Sequence, residues 1–186
     1  MIVGSQNPLQ VIPREQEGFY SCWSTATEMI MEFWGKRVRQ CEQSSRPGDN
    51  AVGCCDGAML KRDPACDAPS NPEFERWGFT CTLQVQQPLS WSQIVAEIDG
   101  GRSFAFSWTR NASSASSSSM SHMLVVIGYS QTAGPETQML LCLNPRPFAI
   151  ADEWVVPFVE YKGSGNQPTG YTHEADFFGI QPDSGL

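Results

Sequence analysis

The chain has 186 residues, of which 40% are apolar, 11% aromatic and only 17% charged, and its formal net charge is -8. That is one domain's length, with enough apolar material for a single core and too little charge for intrinsic disorder. An acidic chain without a Lys/Arg cluster has no electrostatic grip on nucleic acid or on anionic lipid, so neither is an expected partner.

The first ten residues, MIVGSQNPLQ, lack a basic region followed by an apolar core and do not read as a signal peptide. From Cys22 to Trp34 the apolar side chains Trp23, Ala26, Met29, Ile30, Phe33 and Trp34 recur at steps of three and four, which predicts an amphipathic helix. Gly35 follows as its stop, with Lys36 and Arg37 behind it. Residues 36–78 read as irregular, and 79–85 alternate as a strand. In PLSWSQIVAEIDGG, Ser90 and Gln93 form a capping-box signature ahead of the stripe Ile94, Val95 and Ile98, and Gly100-Gly101 closes a second helix. Strands are expected at 102–109, 122–130, 137–143 and 153–161, with the Ser-rich run NASSASSSSMS as a mobile loop between the first two. No unbroken apolar run, 123–127 included, is longer than five residues, far short of the roughly 20 residues of a membrane-crossing helix.

Helices first and strands afterwards, without regular alternation, predict an α+β fold. The expectation is a single domain over 1–186: a helical N-terminal lobe of about 10–78 packed on a twisted antiparallel sheet of about 79–180. A cleft between two such lobes is a natural place for a site.

There are seven cysteines: Cys22, Cys41, Cys54, Cys55, Cys66, Cys81 and Cys142. Five of them fall between residues 41 and 81, in a Gly-, Pro- and Asp-rich stretch too poor in apolar side chains to pack itself. Disulfides, reduced thiols and a metal site are the alternatives there. The absence of a CxxC pair and the presence of only two His argue against zinc. Neighbouring Cys54 and Cys55 would be strained if bonded to each other, so each is expected to pair elsewhere. An oxidised chain belongs in a periplasmic or extracellular space.

The chemistry converges on Cys22. At a helix start, the partial positive charge and free backbone N–H groups favour a thiolate. A thiol nucleophile needs a proton shuttle, and His122 opens the strand HMLVVIGYS. Asn144 ends the next strand, in LCLNP, where it could accept from the second ring nitrogen of His122 and orient it. Gln16, six residues before Cys22, carries a carboxamide able to join the Cys22 backbone N–H as an oxyanion donor.

These segments resemble a known family. QEGFYSCW is similar to the nucleophile segment of papain-like cysteine proteases, SHMLVVIGY to their His segment and LCLNP to their third segment, over roughly residues 10–160. The short length and the Cys-rich stretch resemble a compact bacterial branch that includes the staphopains and effector proteases injected into plant cells. The resemblance implies a papain-like fold and a cysteine endopeptidase with Cys22 as nucleophile, His122 as general base and acid, Asn144 as orienter and Gln16 as oxyanion donor. It implies no metal and no organic cofactor, and a protein or peptide as substrate. It also implies a secreted virulence factor, or a toxin delivered into a target cell. In the toxin case a proteinaceous inhibitor or immunity protein is the implied partner. Ser21 and Tyr20, in place of small residues, and Pro145 after Asn144 are departures from the family pattern that bear on substrate contacts.

Two further readings use the same residues: an amidase or acyltransferase acting on a non-protein substrate such as peptidoglycan, and a non-catalytic binding module of the same fold. His173, in YTHEADFF, reads as part of a polar tail without a catalytic role. Trp23 is expected behind the nucleophile, and Trp34, Trp77, Trp91, Trp108 and Trp154 in the core or the cleft wall.

Overall fold

The computed structural model describes residues 3–4, 8–45, 53–55, 63–110, 121–163 and 171–184. The Ser-rich run expected as a loop lies outside these residues except for its last residue, Ser121, which opens a strand. Among them are seven strands: β1 (Val3–Gly4), β2 (Phe79–Val85), β3 (Phe104–Arg110), β4 (Ser121–Gln131), β5 (Met139–Arg146), β6 (Ala149–Pro157) and β7 (Tyr171–Pro182). Six form one antiparallel sheet in the order β2-β7-β3-β4-β5-β6, and β1 pairs with β4. The helices are α1 (Cys22–Phe33), α2 (Gln40–Ser44), α3 (Trp91–Asp99) and α4 (Phe158–Tyr161). The fold is α+β, as the order of elements predicts.

The run Met123, Leu124, Val125, Val126 and Ile127 is continuously apolar because β4 is covered on both faces. Met123, Val125 and Ile127 join one core with Ala26, Met29 and Ile30 of α1. Leu124 and Val126 join a second core with Ile94 and Ile98 of α3 and with Phe158 and Tyr161 of α4. The sheet is therefore a middle layer between helices, with α3 on the face opposite α1, rather than the second of two segregated lobes. The capping box of α3 forms as its sequence predicts, with the Ser90 hydroxyl accepting from the backbone of Gln93.

Three expectations are corrected. The segment 153–161 is not one strand: Pro157 ends β6, and α4 follows it. Residues 36–78 are not wholly irregular, since they hold α2 and the 3₁₀ turn Phe74–Trp77. The tail after residue 170 is an inner strand of the sheet, between β2 and β3. It escapes a periodicity reading because His173 and Asp176 break the apolar pattern while being buried. Their polar atoms are met inside: Asp176 accepts from the Tyr161 hydroxyl at 2.7 Å and from His173 Nε2 at 2.9 Å.

The Cys-rich segment is cross-linked by disulfides Cys41–Cys55 and Cys54–Cys66, so the adjacent cysteines take different partners. Cys41 lies in α2, which ties the segment to a helix. Cys22, Cys81 and Cys142 are free thiols.

Helix α1 is buried along most of its length, including the polar Ser24, Thr25, Thr27 and Glu28. Its hydroxyls bond back to its own first turns, Thr25 to the Ser21 carbonyl at 2.8 Å and Thr27 to the Trp23 carbonyl at 2.7 Å. Glu28 is paired with Arg37 at 2.9 Å. Gln40, only 1% exposed, uses its whole hydrogen-bonding capacity. Its oxygen accepts from the Glu17 N–H at 2.9 Å and the Thr25 hydroxyl at 3.0 Å. Its nitrogen donates to the Glu15 carbonyl at 2.7 Å and to Glu28 at 3.0 Å. Gln40→Leu keeps much of the volume and takes its bond from each of the Glu17 N–H, the Glu15 carbonyl and Glu28, while Thr25 keeps the Ser21 carbonyl. We expect a loss of about 3 kcal/mol and a fall in Tm of roughly 10 °C, measured by thermal unfolding.

Candidate active site

Cys22 is the first residue of α1, and Ser21 occupies the cap position before it. The Ser21 hydroxyl turns back to accept from the Gly18 N–H at 2.8 Å, which closes the turn that delivers the chain to the helix. His122 is the second residue of β4, opposite Trp108 of β3. Asn144 lies near the end of the adjoining strand β5 and is 3% exposed. His122 Nε2 lies 2.6 Å from Asn144 Oδ1. Because that oxygen can only accept, Nε2 carries the proton and the other ring nitrogen is left as the base.

Cys22, His122 and Gln16 line one cleft of about 780 Å³. Its remaining wall is largely apolar, with Phe19, Tyr20, Leu83, Val85, Tyr171 and Phe177 among the lining side chains. Trp23 lines it behind Cys22 and donates its indole N–H to the Ala68 carbonyl at 3.1 Å. Trp108 is core, stacked on the cleft residue Tyr171 with ring centroids 4.4 Å apart.

Gln16 is held on both sides. Its backbone N–H donates to the Ala149 carbonyl at 3.0 Å and its carbonyl accepts from Phe148 N–H at 2.7 Å, which couples it to the chain just beyond Asn144. Its side-chain nitrogen donates to the carbonyls of Gly18 at 2.8 Å and Phe19 at 3.2 Å. Its side-chain oxygen is buried without a partner among the described residues. An oxyanion would have to take over the longer of the two donor contacts, the one to Phe19.

His173, the second histidine, does not reach the cleft. Its Nδ1 lies 3.1 Å from the Tyr161 carbonyl and its Nε2 2.9 Å from Asp176, so neither ring nitrogen is available to shuttle a proton to a substrate.

The helix-start argument for a thiolate at Cys22 is outweighed. Burial pushes the Cys22 thiol above its ordinary 9.0, opposed by backbone N–H groups of Met123, Trp23 and Cys22 itself and reinforced by the charge of Asp67. Burial likewise holds His122 below its ordinary 6.5, with the Asn144 bond working against that and the Arg146 charge adding to it. Both shifts favour a neutral thiol and a neutral imidazole in the free protein. Burial also raises the other free thiols, Cys81 to about 12 and Cys142 in the core.

Two further residues, one bonded to the cleft wall and one lining the cleft, carry no mark in the sequence. Asp67 follows Cys66 and accepts from the backbone N–H groups of Phe19 at 2.7 Å and Tyr20 at 2.8 Å. Glu174 on β7 accepts from the hydroxyls of Thr109 and Ser121 at the cleft edge. The partners of both are distant in sequence, and neither residue sits in a motif that could have marked it.

An α+β fold with a helix-start cysteine and a histidine lining one cleft, the histidine bonded to a buried Asn, has the make-up of a thiol hydrolase. The model of the Peptidase_C39 like family matches residues 8–167, and the chain belongs to that family of cysteine peptidases. The match takes in Gln16, Cys22, His122 and Asn144. No curated protein matches the chain.

The neutral pair has a kinetic signature. Without substrate, the rate of Cys22 alkylation by iodoacetamide should climb about tenfold per pH unit from neutrality until the pH passes 9.0. Peptide mapping against time follows it. A rate already level through neutral pH would mean a preformed thiolate–imidazolium pair.

Proposed function

We propose that the protein is a papain-like cysteine endopeptidase with Cys22, His122 and Asn144 as its triad and Gln16 as an oxyanion donor. The observation that carries this reading is the 2.6 Å bond from His122 Nε2 to Asn144, made in the cleft that Cys22 opens onto. It fixes the imidazole with its free nitrogen as base, the requirement for activating a thiol that burial keeps protonated.

In this mechanism the Cys22 sulfur attacks the scissile carbonyl carbon as its proton passes to the free nitrogen of His122. The carbonyl oxygen takes the negative charge and is met by the Cys22 backbone N–H and the Gln16 amide. Collapse of this intermediate breaks the C–N bond, and His122 returns the proton to the leaving amine. Water, deprotonated by His122, then attacks the thioester and releases the acid and the free thiol. Asn144 accepts from Nε2–H throughout and supports the imidazolium that forms.

Apolar walls at Phe19, Tyr20, Leu83, Val85 and Phe177 favour a peptide with large apolar side chains over the small polar stems of a peptidoglycan cross-link. Disulfides near the site suit an oxidising compartment, in line with secretion or delivery out of the producing cell.

The test is labelling with a papain-family epoxide inhibitor, followed by intact mass and peptide mapping. We expect one adduct on Cys22, absent in Cys22→Ala, and slowed by about 10²- to 10⁴-fold in His122→Ala. No adduct, or label scattered over Cys81 and Cys142, would favour a non-catalytic module.

A further inference from the structure

We propose that Asp67 is a positioning residue for acyl transfer, whose carboxylate fixes the two peptide planes that Gln16 holds from the other side, just ahead of the nucleophile. The inference rests on the reading of Cys22 as the attacking group and of Gln16 as an oxyanion donor.

The geometry is a clamp with two jaws. In the 18–19 peptide, the Gly18 carbonyl accepts from Gln16 Nε2 at 2.8 Å and the Phe19 N–H donates to Asp67 Oδ2 at 2.7 Å. In the 19–20 peptide, the Phe19 carbonyl accepts from the same Gln16 nitrogen at 3.2 Å and the Tyr20 N–H donates to Asp67 Oδ1 at 2.8 Å. Each plane is thus gripped by its oxygen on one side and its hydrogen on the other. When Gln16 turns an N–H from Phe19 toward a developing oxyanion, the Asp67 jaw is what keeps those planes, and with them Cys22, in register.

Two further features show a built contact. A Cβ at Gly18 would lie 2.3 Å from Asp67 Oδ1 and 2.6 Å from its Cγ, so glycine there lets the carboxylate approach. The jaw is also anchored. Cys66, the preceding residue, is bonded to Cys54, Cys55 to Cys41 in α2, and the carbonyl of the following Ala68 takes the Trp23 indole N–H. The side chains of Phe19 and Tyr20 are 58% and 44% exposed, so packing adds little to hold this turn.

The experiment compares wild type, Asp67→Ala, Asp67→Asn, Gly18→Ala and the Gly18→Ala/Asp67→Ala double variant. Three quantities are read: hydrolysis of an apolar peptidyl-aminomethylcoumarin, iodoacetamide alkylation of Cys22, and hydrogen exchange of the Phe19 and Tyr20 amides. Alkylation is a displacement that needs the thiol and no oxyanion donors, so it separates positioning from general damage. In Asp67→Ala we expect both amides to exchange at least about tenfold faster and kcat to fall about 10- to 100-fold. KM should change little, and alkylation should be undiminished or faster. Asp67→Asn, with one acceptor oxygen in place of two, should fall between. Gly18→Ala should lower kcat by itself yet add little to Asp67→Ala, because the closest clash is with the missing carboxylate and only the Ser21 hydroxyl, at 3.0 Å, remains to give way. Unchanged kcat in Asp67→Ala despite faster exchange would overturn the proposal. So would hydrolysis and alkylation falling together with a lowered Tm in both Asp67 variants. If the wild-type chain neither cleaves the peptide nor takes the epoxide at Cys22, the peptidase reading fails first and this one with it.

Discussion

The Gln40 side chain binds the residues on either side of Gln16 to the middle of α1, and the active-site cleft depends on that cross-brace. Glu15 and Glu17 meet it through their backbones, and Thr25 and Glu28 through their side chains. A buried amide with four partners is costly to disturb, because any displacement leaves groups unpaired in a low-dielectric interior. The segment carrying Gln16 is therefore fixed relative to the helix carrying Cys22 by a contact that touches neither. From the opposite side, the backbone bonds of Gln16 to Phe148 and Ala149 fix it relative to the strand end carrying Asn144. Helix, sheet and the Gln16 segment meet through these few bonds.

The sheet supplies the other half of the site by register. Val125 faces Leu143 across β4 and β5, which sets His122 and Asn144 toward the same end of adjoining strands. A register shift between Asn144 and Arg146 on the β5–β6 side marks where β5 departs from regular pairing, next to the residue whose side chain is used. Burial of β4 between two helical layers makes the platform stiff, and the candidate residues sit at its rim, where polar atoms reach the cleft.

Elements with strong local signals were legible in the sequence. The α1 stripe, the Ser90–Gln93 box, the alternation of β2 and the apolar run of β4 each state their structure within a dozen residues. The catalytic candidates were legible as motifs, and the structure brings Cys22, His122 and Gln16 to one cleft with Asn144 bonded to His122. What was not legible depends on partners far along the chain. β7 reads as a polar tail because His173 and Asp176 find acceptors and donors in Tyr161 and Leu89 only once the sheet has closed. Asp67 reads as one more acid in an irregular stretch until the disulfides carry it to the nucleophile loop, 47 and 48 residues away from its partners. At Cys22 a helix start argues for a thiolate locally, whereas burial, a tertiary property, pushes the thiol the other way.

That balance also explains why a carboxylate should stand beside a thiol whose ionisation it opposes. Two adjacent N–H groups, on Phe19 and Tyr20, point the same way and need two acceptors close together. A carboxylate supplies two oxygens and no competing hydrogens, whereas an amide would turn one N–H against another. The charge of Asp67 raises the Cys22 thiol further, so the geometry is obtained at the expense of a ready-made thiolate. Such an arrangement works if the proton leaves Cys22 only as the bond to the substrate forms, which is what a neutral His122 oriented by Asn144 permits. In the proposed mechanism the negative charge develops on the substrate oxygen, beside donors already held in place, rather than resting on the sulfur beforehand. Burial of the thiol, depression of the imidazole and the Asp67 clamp are thus mutually consistent: each favours proton transfer in step with attack over a resident ion pair.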